Sequence, residues 1–197
     1  MVEDPASNTR DLEAISRILR GDTEAFRIVV EKYQALILRL CRSYMKDEQE
    51  AEDAAQEIFL RAYRSLPGFK LNRKFKNWLY TIALNHLKTR YGRLRNLENR
   101  RRLLQNERPQ PGRTPEEIHL REELRGEVRE ALAALPSNLK GVTLLYYLEE
   151  LPVQDISEIT GLGHEAVKSR LFRARRKLRE HLEKTQPPGT NGGIVKR

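Results

Sequence analysis

Residues 152–182, PVQDISEITGLGHEAVKSRLFRARRKLREHL, decide the fold of the C-terminal half of the chain. The first part has apolar residues at helical spacing and predicts a short helix over 153–160. Gly161 and Gly163 then supply a turn, because glycine adopts positive φ at little steric cost. A longer helix begins at His164, and its inward positions are Val167, Leu171, Leu178 and Leu182. A short helix, a glycine turn and a longer helix indicate a helix-turn-helix, whose second helix enters the DNA major groove.

The second helix of this unit is strongly basic. Between His164 and Glu180 it has seven Lys and Arg residues against two acidic ones. Five side chains lie off the buried stripe and can reach base edges or phosphates: Lys168, Ser169, Phe172, Arg173 and Arg176. Lys177 and Arg179 are expected to contact backbone phosphates only. The alternative is an ordinary helical hairpin with a solvated basic face, and the number of cations favours DNA contact over it.

The rest of the chain is also helical by pattern. Asp22 and Asp47 each precede a segment with apolar residues at steps of three and four, which predicts capped amphipathic helices. No alternating run of strand length is present, so the predicted fold class is all-α. Residues 95–113 lose the pattern and are rich in Pro, Gly, Arg and Asn, as in a linker that cannot bury a face. We therefore expect two small helical domains joined by a flexible linker, with order resuming at the Thr114–Glu117 capping box.

Charge and composition limit the function. The 197 residues carry a net charge of +9, divided into −5 over 1–60, +12 over 61–110, −3 over 111–150 and +5 over 151–197. Two separate basic blocks indicate two polyanion contacts. The polar N-terminus and the absence of a long apolar run predict no secretory signal and no membrane insertion. Cys41 is the one cysteine, so no intrachain disulfide is expected, and a reducing, cytoplasmic location is favoured.

Aromatic and basic residues alternate after Pro67. This block has the composition of a surface that grips a single strand, with rings that stack on bases and cations that neutralise phosphates. Its members are Phe69, Lys70, Arg73, Lys74, Phe75, Lys76, Asn77, Trp78 and Tyr80. Trp78 has core spacing, so Phe69, in the predicted loop, is the better candidate for contact with a base. Asn85 is either a base contact or a solvated helix residue.

An acidic helix lies upstream of this block. Its carboxylates are Asp47, Glu48, Glu50, Glu52, Asp53 and Glu57. Three interpretations remain open: a magnesium site of a nuclease, a solvated face near a positive helix N-terminus, and a docking surface for a basic protein. No nucleophile elbow or phosphate-binding glycine loop is present, and the histidines do not cluster with the acids in sequence. Catalysis is the least favoured interpretation, and no metal or cofactor is expected.

Several motifs together resemble the extracytoplasmic-function (ECF) class of sigma factors of bacterial RNA polymerase, in the sigma-70 family. The resemblance runs from about Asp22 to Leu182 and keeps the family's motif order. It is carried by GDTEAF (21–26), EDAAQEIFLRAY (52–63), Phe75 with WLYTIALN (78–85), Leu135-Pro136, Gly161 and VKSRLFRAR (167–175). It implies a domain like sigma region 2 over residues 9–95 and a helix-turn-helix domain like region 4 over 114–183, joined by the linker over 96–113. The Pro- and Gly-containing composition of the tail, 184–197, predicts disorder.

The resemblance also implies roles for residues of this chain. Contacts with the polymerase core, through the coiled-coil and flap of the large subunits, would include Asp53, Gln56 and Glu57. Binding of the opened minus-10 element would involve Phe69, Arg73, Lys74, Lys76, Asn77, Asn85, Lys88 and Arg90. Reading of the minus-35 element would involve Lys168, Ser169, Arg170, Phe172, Arg173 and Arg176. The expected partners are core polymerase, promoter DNA and an anti-sigma factor.

Two features depart from the family pattern. The loop over 70–74 is more basic than the versions typical of the family, so a base preference does not transfer to it. The tail beyond Leu182 has no family motif. The hypotheses are thus a non-catalytic promoter-specificity subunit, an autonomous helix-turn-helix regulator, and, least favoured, a metal-dependent nuclease. An autonomous regulator usually needs a dimer seam, and no such apolar face is evident in the sequence.

Overall fold

A computed structural model describes residues 5–45, 47–105 and 119–185. Within these ranges the chain is all-α, as predicted, and has no strand. The helices are α1 (Pro5–Leu19), α2 (Ala25–Arg42), α3 (Glu48–Ser65), α4 (Phe75–Gln105), α5 (His119–Ala134), α6 (Ser137–Tyr147), α7 (Val153–Thr160) and α8 (His164–Thr185), with a 3₁₀ turn at Leu66–Gly68. Helices α1–α4 form an N-terminal domain and α5–α8 a C-terminal domain.

Local signals in the sequence define the ends of several helices. The Asp47 carboxylate accepts a hydrogen bond from the Glu50 amide at 2.9 Å and caps α3. The Asp22 carboxylate accepts one from the Ala25 amide at 3.2 Å before α2. Gly161, at φ 69°, ends α7 in the left-handed conformation that glycine tolerates best. The predicted helix-turn-helix is therefore present as α7 and α8.

Both predicted flexible segments are helical where the structure describes them. Helix α4 continues to Gln105, ten residues into the segment 96–113 that the sequence predicts as a linker, and 106–113 lies outside the described residues. Helix α8 extends to Thr185, and the remainder of the tail lies outside them as well. The Thr114–Glu117 capping box is likewise not described. A polar segment can continue a helix without an apolar face when its residues are good helix formers.

The two domains pack against each other, which the sequence pattern does not predict. Buried side chains of α1–α4 and of α6–α8 form one continuous hydrophobic cluster. A second, smaller cluster inside the C-terminal domain contains Leu135, Leu139 and Ala174. Gly141 lies in the middle of α6, where a Cβ atom would come within 3.3 Å of the Tyr44 hydroxyl and 3.4 Å of Leu84. The absence of a side chain at this position permits the close approach of α6 to α4 and to the turn that follows α2.

Candidate nucleic-acid interface

The recognition helix, α8, presents its polar face to solvent. Val167 and Leu171 are buried, whereas Lys168, Ser169, Arg173 and Arg176 are exposed, as predicted from their spacing. Phe172 is the most prominent apolar residue of this face, at 64% exposure. An aromatic ring of this kind, surrounded by cations, suits contact with a base edge or a thymine methyl group.

The cations of α8 have only weak intrahelical partners. Lys168 pairs with Glu165 at 2.8 Å, and Arg176 approaches Glu180 at 3.6 Å, both in exposed positions. Exposed ion pairs of this type contribute little free energy, so these cations can readily bind phosphates instead. Arg170 differs from the others, because it is half-buried and donates to the Asn138 carbonyl at 3.2 Å. It therefore ties α8 to the start of α6 in this structure.

Phe69, which the sequence predicts as a base contact from a loop, is a core residue in this structure, and its contact with a base stays a prediction. It is only 6% exposed. Its ring packs edge-on against Phe75, with centroids 5.6 Å apart, and against Trp78 at 5.1 Å. The 3₁₀ turn at Leu66–Gly68 directs the chain back onto the domain. Burial of the Phe69 ring there is lower in free energy than its exposure to water. Trp78 joins the same cluster, as its spacing predicts.

Three predicted strand-binding residues, two just before α4 and one in its first turn, face helix α7. Lys74 donates to both carboxylate oxygens of Asp155, at 2.9 and 3.0 Å. Arg73 Nε donates to Glu158 at 3.3 Å, and the buried Asn77 amide donates to the same carboxylate at 2.8 Å. In this arrangement all three residues are paired with carboxylates of the C-terminal domain, with Asn77 buried and the side chains of Arg73 and Lys74 still about half exposed.

The remaining predicted residues of α4 lie further along the helix. Asn85 is exposed, and Lys76, Lys88 and Arg90 are half-buried. Burial, together with the nearby positive charge of Arg170, holds the pKa of Lys88 below its ordinary value. The structure therefore divides the predicted minus-10 residues into a group that contacts α7 and a group further along α4.

Asn85 borders a polar cleft of about 610 Å³ between α3 and α4. His86 lies in the same cleft, and its Nε2 atom is buried without a hydrogen-bond partner among the described residues. Burial and the charge of Arg61 lower the pKa of His86, which favours the neutral imidazole. The other lining residues are Glu57, Arg61, Arg64, Ser65, Ile82 and Thr89. Sequence reasoning did not connect His86 with this site, because its helical position relative to α3 is visible only in three dimensions.

Helix α3 presents the predicted acidic face. Asp53 and Gln56 are exposed, and Glu57 is half-buried and pairs with Arg61 at 2.7 Å. Leu60 lies on the same face, at the i+4 and i+7 positions from two of these residues, and is 50% exposed. The sequence analysis did not single it out, although a leucine placed off the buried stripe of an amphipathic helix is a recognisable signal. An exposed apolar residue beside carboxylates is typical of a protein-docking surface.

Among the described residues, no group of three or more His, Cys, Asp or Glu side chains is placed to hold a metal ion. Within the same parts of the chain, no helix is long and apolar enough to cross a membrane.

Comparison with known proteins identifies the family. Residues 29–96 match the model of Sigma-70 region 2, and residues 125–178 match that of Sigma-70, region 4. The chain is 34% identical to the RNA polymerase sigma-H factor of Pseudomonas aeruginosa, with 88% of this chain and 94% of that protein covered. It is 32% identical to the ECF RNA polymerase sigma factor SigW of Bacillus subtilis, covering 85% of this chain and 94% of SigW.

Solved structures agree on the fold. The structure of CnrH in complex with the cytosolic domain of CnrY matches with a TM-score of 0.68 at 24% identity, over 90% of this chain and 99% of CnrH. The sigma factor RpoE of Bartonella quintana, in complex with the anti-sigma factor NepR, matches with a TM-score of 0.59 at 21% identity, over 83% and 100%. The family models, the curated relatives and the all-α fold lead to one conclusion: this chain belongs to the ECF class of sigma-70 family RNA polymerase sigma factors.

Proposed function

We propose that this sigma factor acts through three separate surfaces: the acidic face of α3 on core polymerase, the start and middle of α4 on the opened minus-10 element, and α8 on the minus-35 element. It contributes no catalysis of its own and works in the cytoplasm. The observation that carries this division of labour is that α3 and α8 expose faces of opposite charge, each with a solvent-exposed apolar residue at its centre.

The minus-35 contact is assigned to the exposed face of α8. Lys168, Arg173 and Arg176 supply long donors that reach guanine edges or phosphates in the major groove. Phe172 supplies an apolar contact, and Ser169 is small enough to allow close approach. Arg170 contributes indirectly, because its bond to the Asn138 carbonyl orients α8 on the domain. The proposed unit corresponds to residues 114–183.

The core contact is assigned to Asp53, Gln56 and Glu57, with Leu60 as its apolar centre. A basic coiled-coil of the largest polymerase subunit fits this surface in charge, and the exposed leucine offers apolar area that the flanking carboxylates exclude from water. The C-terminal domain would reach the flap. Because one chain makes both contacts, binding of α3 to the coiled-coil raises the effective concentration of the C-terminal domain at the flap.

The minus-10 contact is assigned to α4, within residues 9–95. The single strand contacts Asn85 and the cations Lys76, Lys88 and Arg90 along α4. When α7 moves away, the strand also contacts Arg73, Lys74 and Asn77. Extrusion of a base from the duplex costs a few kcal/mol of stacking, which hydrogen bonds to the base edge and cation–phosphate contacts offset. Phe69 has a supporting role here, because its ring fixes the turn that precedes α4.

A protein inhibitor is part of this proposal. The Bartonella RpoE was solved with the anti-sigma factor NepR, and CnrH with the cytosolic domain of CnrY; both resemble this chain in fold. We propose an anti-sigma factor as the corresponding partner here.

Run-off transcription with purified core polymerase on genomic promoter fragments tests the function. We expect products with defined start sites that require this chain. Asp53→Arg should abolish them by weakening core binding, while binding of the chain to duplex DNA is retained. Glu31→Arg, which makes the same change of charge at an exposed position of α2, serves as the control. No promoter-dependent product, or tight operator binding by a dimer without polymerase, would refute the proposal.

A further inference from the structure

The contacts between α4 and α7 join opposite charges across the domain interface. On the α4 side are Arg73, Lys74 and Asn77, three of the residues to which we assign the single strand. On the α7 side are two carboxylates, Asp155 and Glu158, within 2.8 to 3.3 Å of those donors. A carboxylate presents the same charge and the same acceptor oxygens as a backbone phosphate. Helix α7 therefore satisfies the donors that a bound strand would otherwise satisfy.

The packing around these contacts is specific. Gly141 leaves the space into which Tyr44 and Leu84 of the N-terminal domain fit, although glycine disfavours a helix interior. Lys140 is buried and lies over the Tyr44 ring, 4.8 Å from its centroid. Thr81 donates to the Ile159 carbonyl at 3.1 Å, which fixes the C-terminal end of α7 on α4. The closed arrangement is thus supported by steric fit as well as by charge.

We propose that α7 is an internal competitor of single-stranded DNA, so that the closed form of this chain is self-inhibited at its minus-10 surface. This inference rests on the proposed function of α4 and adds its regulation. The strand and α7 cannot occupy the same donors, so strand binding requires the domains to separate. If the open form makes up about one molecule in ten, the apparent affinity for a strand falls about tenfold below that of the open form.

Two kinds of variant separate this competition from a simple change of net charge. Asp155→Asn with Glu158→Gln removes the two carboxylates and keeps the side-chain shapes. Its control is Glu130→Gln with Glu183→Gln, which removes two exposed carboxylates of the same domain away from α7. Gly141→Leu changes no charge and places a side chain against Tyr44 and Leu84. Its control is Gly126→Leu on α5, where an added Cβ meets nothing within 4 Å.

The readouts are small-angle X-ray scattering for domain separation and anisotropy of a short fluorescein-labelled oligonucleotide of random sequence for strand binding. For both test variants we expect a larger radius of gyration and an approximately tenfold lower Kd than for the controls. Adding Arg73→Gln and Lys74→Gln to Gly141→Leu should remove the gain.

The outcomes decide between competition and passive packing. If Gly141→Leu opens the molecule but binds the oligonucleotide no more tightly than Gly126→Leu, the inference is wrong. Should the leucine be accommodated without opening, the carboxylate variant decides: a Kd equal to that of its control refutes the inference. Core-dependent run-off transcription by the wild-type chain is measured separately, so a failure of the proposed function shows there and a failure of self-inhibition shows only in these comparisons.

Discussion

Arg39 grips the carboxylate of Glu149 with two hydrogen bonds, from Nε at 3.1 Å and from Nη2 at 2.7 Å, and thereby joins α2 to the segment that precedes α7. The Tyr80 hydroxyl donates to the same carboxylate at 2.5 Å. The Glu149 side chain is 1% exposed, so its charge depends on these two partners. The hydrogen bond also raises the pKa of Arg39 above its ordinary value.

Glu149→Ala should therefore weaken the domain interface. The Arg39 side chain is 46% exposed and can be solvated once its partner is lost. The cost is therefore that of the lost hydrogen bonds, about 1–2 kcal/mol, and the change also leaves the Tyr80 hydroxyl without this acceptor. Urea unfolding followed by circular dichroism measures the loss. Glu180→Ala, at an exposed and longer pair with Arg176, should change the free energy of unfolding by less than about 0.5 kcal/mol. Equal effects of the two variants would contradict a structural role for Glu149.

Phe69→Ala and Phe172→Ala should have opposite consequences. Phe69 is buried among rings, so its truncation should cost about 3 to 4 kcal/mol of folding free energy. Phe172 is exposed, so its truncation should leave stability within about 0.5 kcal/mol and weaken minus-35 binding. Thermal unfolding and electrophoretic mobility shifts with promoter duplex measure the two effects. A stable Phe69→Ala protein that has lost only strand binding would instead restore the expectation from sequence.

Leu60→Asp should reduce the affinity for core polymerase without destabilising the chain. The residue is half-exposed, so the folded domain loses little, whereas a docked partner would have to bury an unpaired carboxylate, at a cost of about 2 kcal/mol or more. Titration of labelled core polymerase gives the affinity, and the expected loss is roughly thirtyfold or greater. Ile28→Asp, on the exposed side of α2, is the matched control. Equal core affinities for the two variants would exclude Leu60 from the docking surface.

Arg173→Ala and Lys177→Ala should differ in how their effect depends on DNA sequence. A base-edge contact by Arg173 is worth about 1–3 kcal/mol and is lost only on the cognate element, whereas a phosphate contact by Lys177 weakens all duplexes alike. Binding measured on cognate and scrambled duplexes over a range of salt concentrations separates the two. The interpretation fails if Arg173→Ala weakens both duplexes by the same factor.

His86 should make the stability of the chain depend on pH. Burial and the charge of Arg61 lower its pKa in the folded state, so the unfolded chain binds more protons than the folded one below the ordinary His value of about 6.5. Stability therefore falls as the pH decreases through that value and is retained above it. Urea midpoints measured between pH 7.5 and 5.5 should fall further for the wild type than for His86→Gln. Parallel curves would show that His86 does not titrate in this way.

Much of the fold is readable from local signals. The caps at Asp22 and Asp47 and the glycine turn after α7 are short-range features, and each lies where the sequence predicts it. The exposed face of α8 follows from a helical period in which Val167 and Leu171 point inward. Such signals depend on neighbours within about one or two helical turns, so they do not change with the tertiary packing around them.

Phe69 shows where the sequence pattern is insufficient. A ring in a predicted loop carries no mark of its final exposure, because its burial depends on how the following helix packs back onto it. Phe75 and Trp78 cover Phe69. His86 is the same case: its cleft exists only because α3 and α4 lie side by side.

The sequence alone determines the helical class, the helix-turn-helix and the opposite charges of α3 and α8, because hydrophobic period, capping and charge act over a few ångströms along one helix. Only the tertiary structure determines how the two domains pack in the closed form, because that packing joins residues about 70 to 110 positions apart, such as Tyr80 and Arg39 with Glu149. Contacts of that separation arise from the complementarity of two finished surfaces. Only the folded chain reveals that the residues suited to a DNA strand are already held by carboxylates of its own.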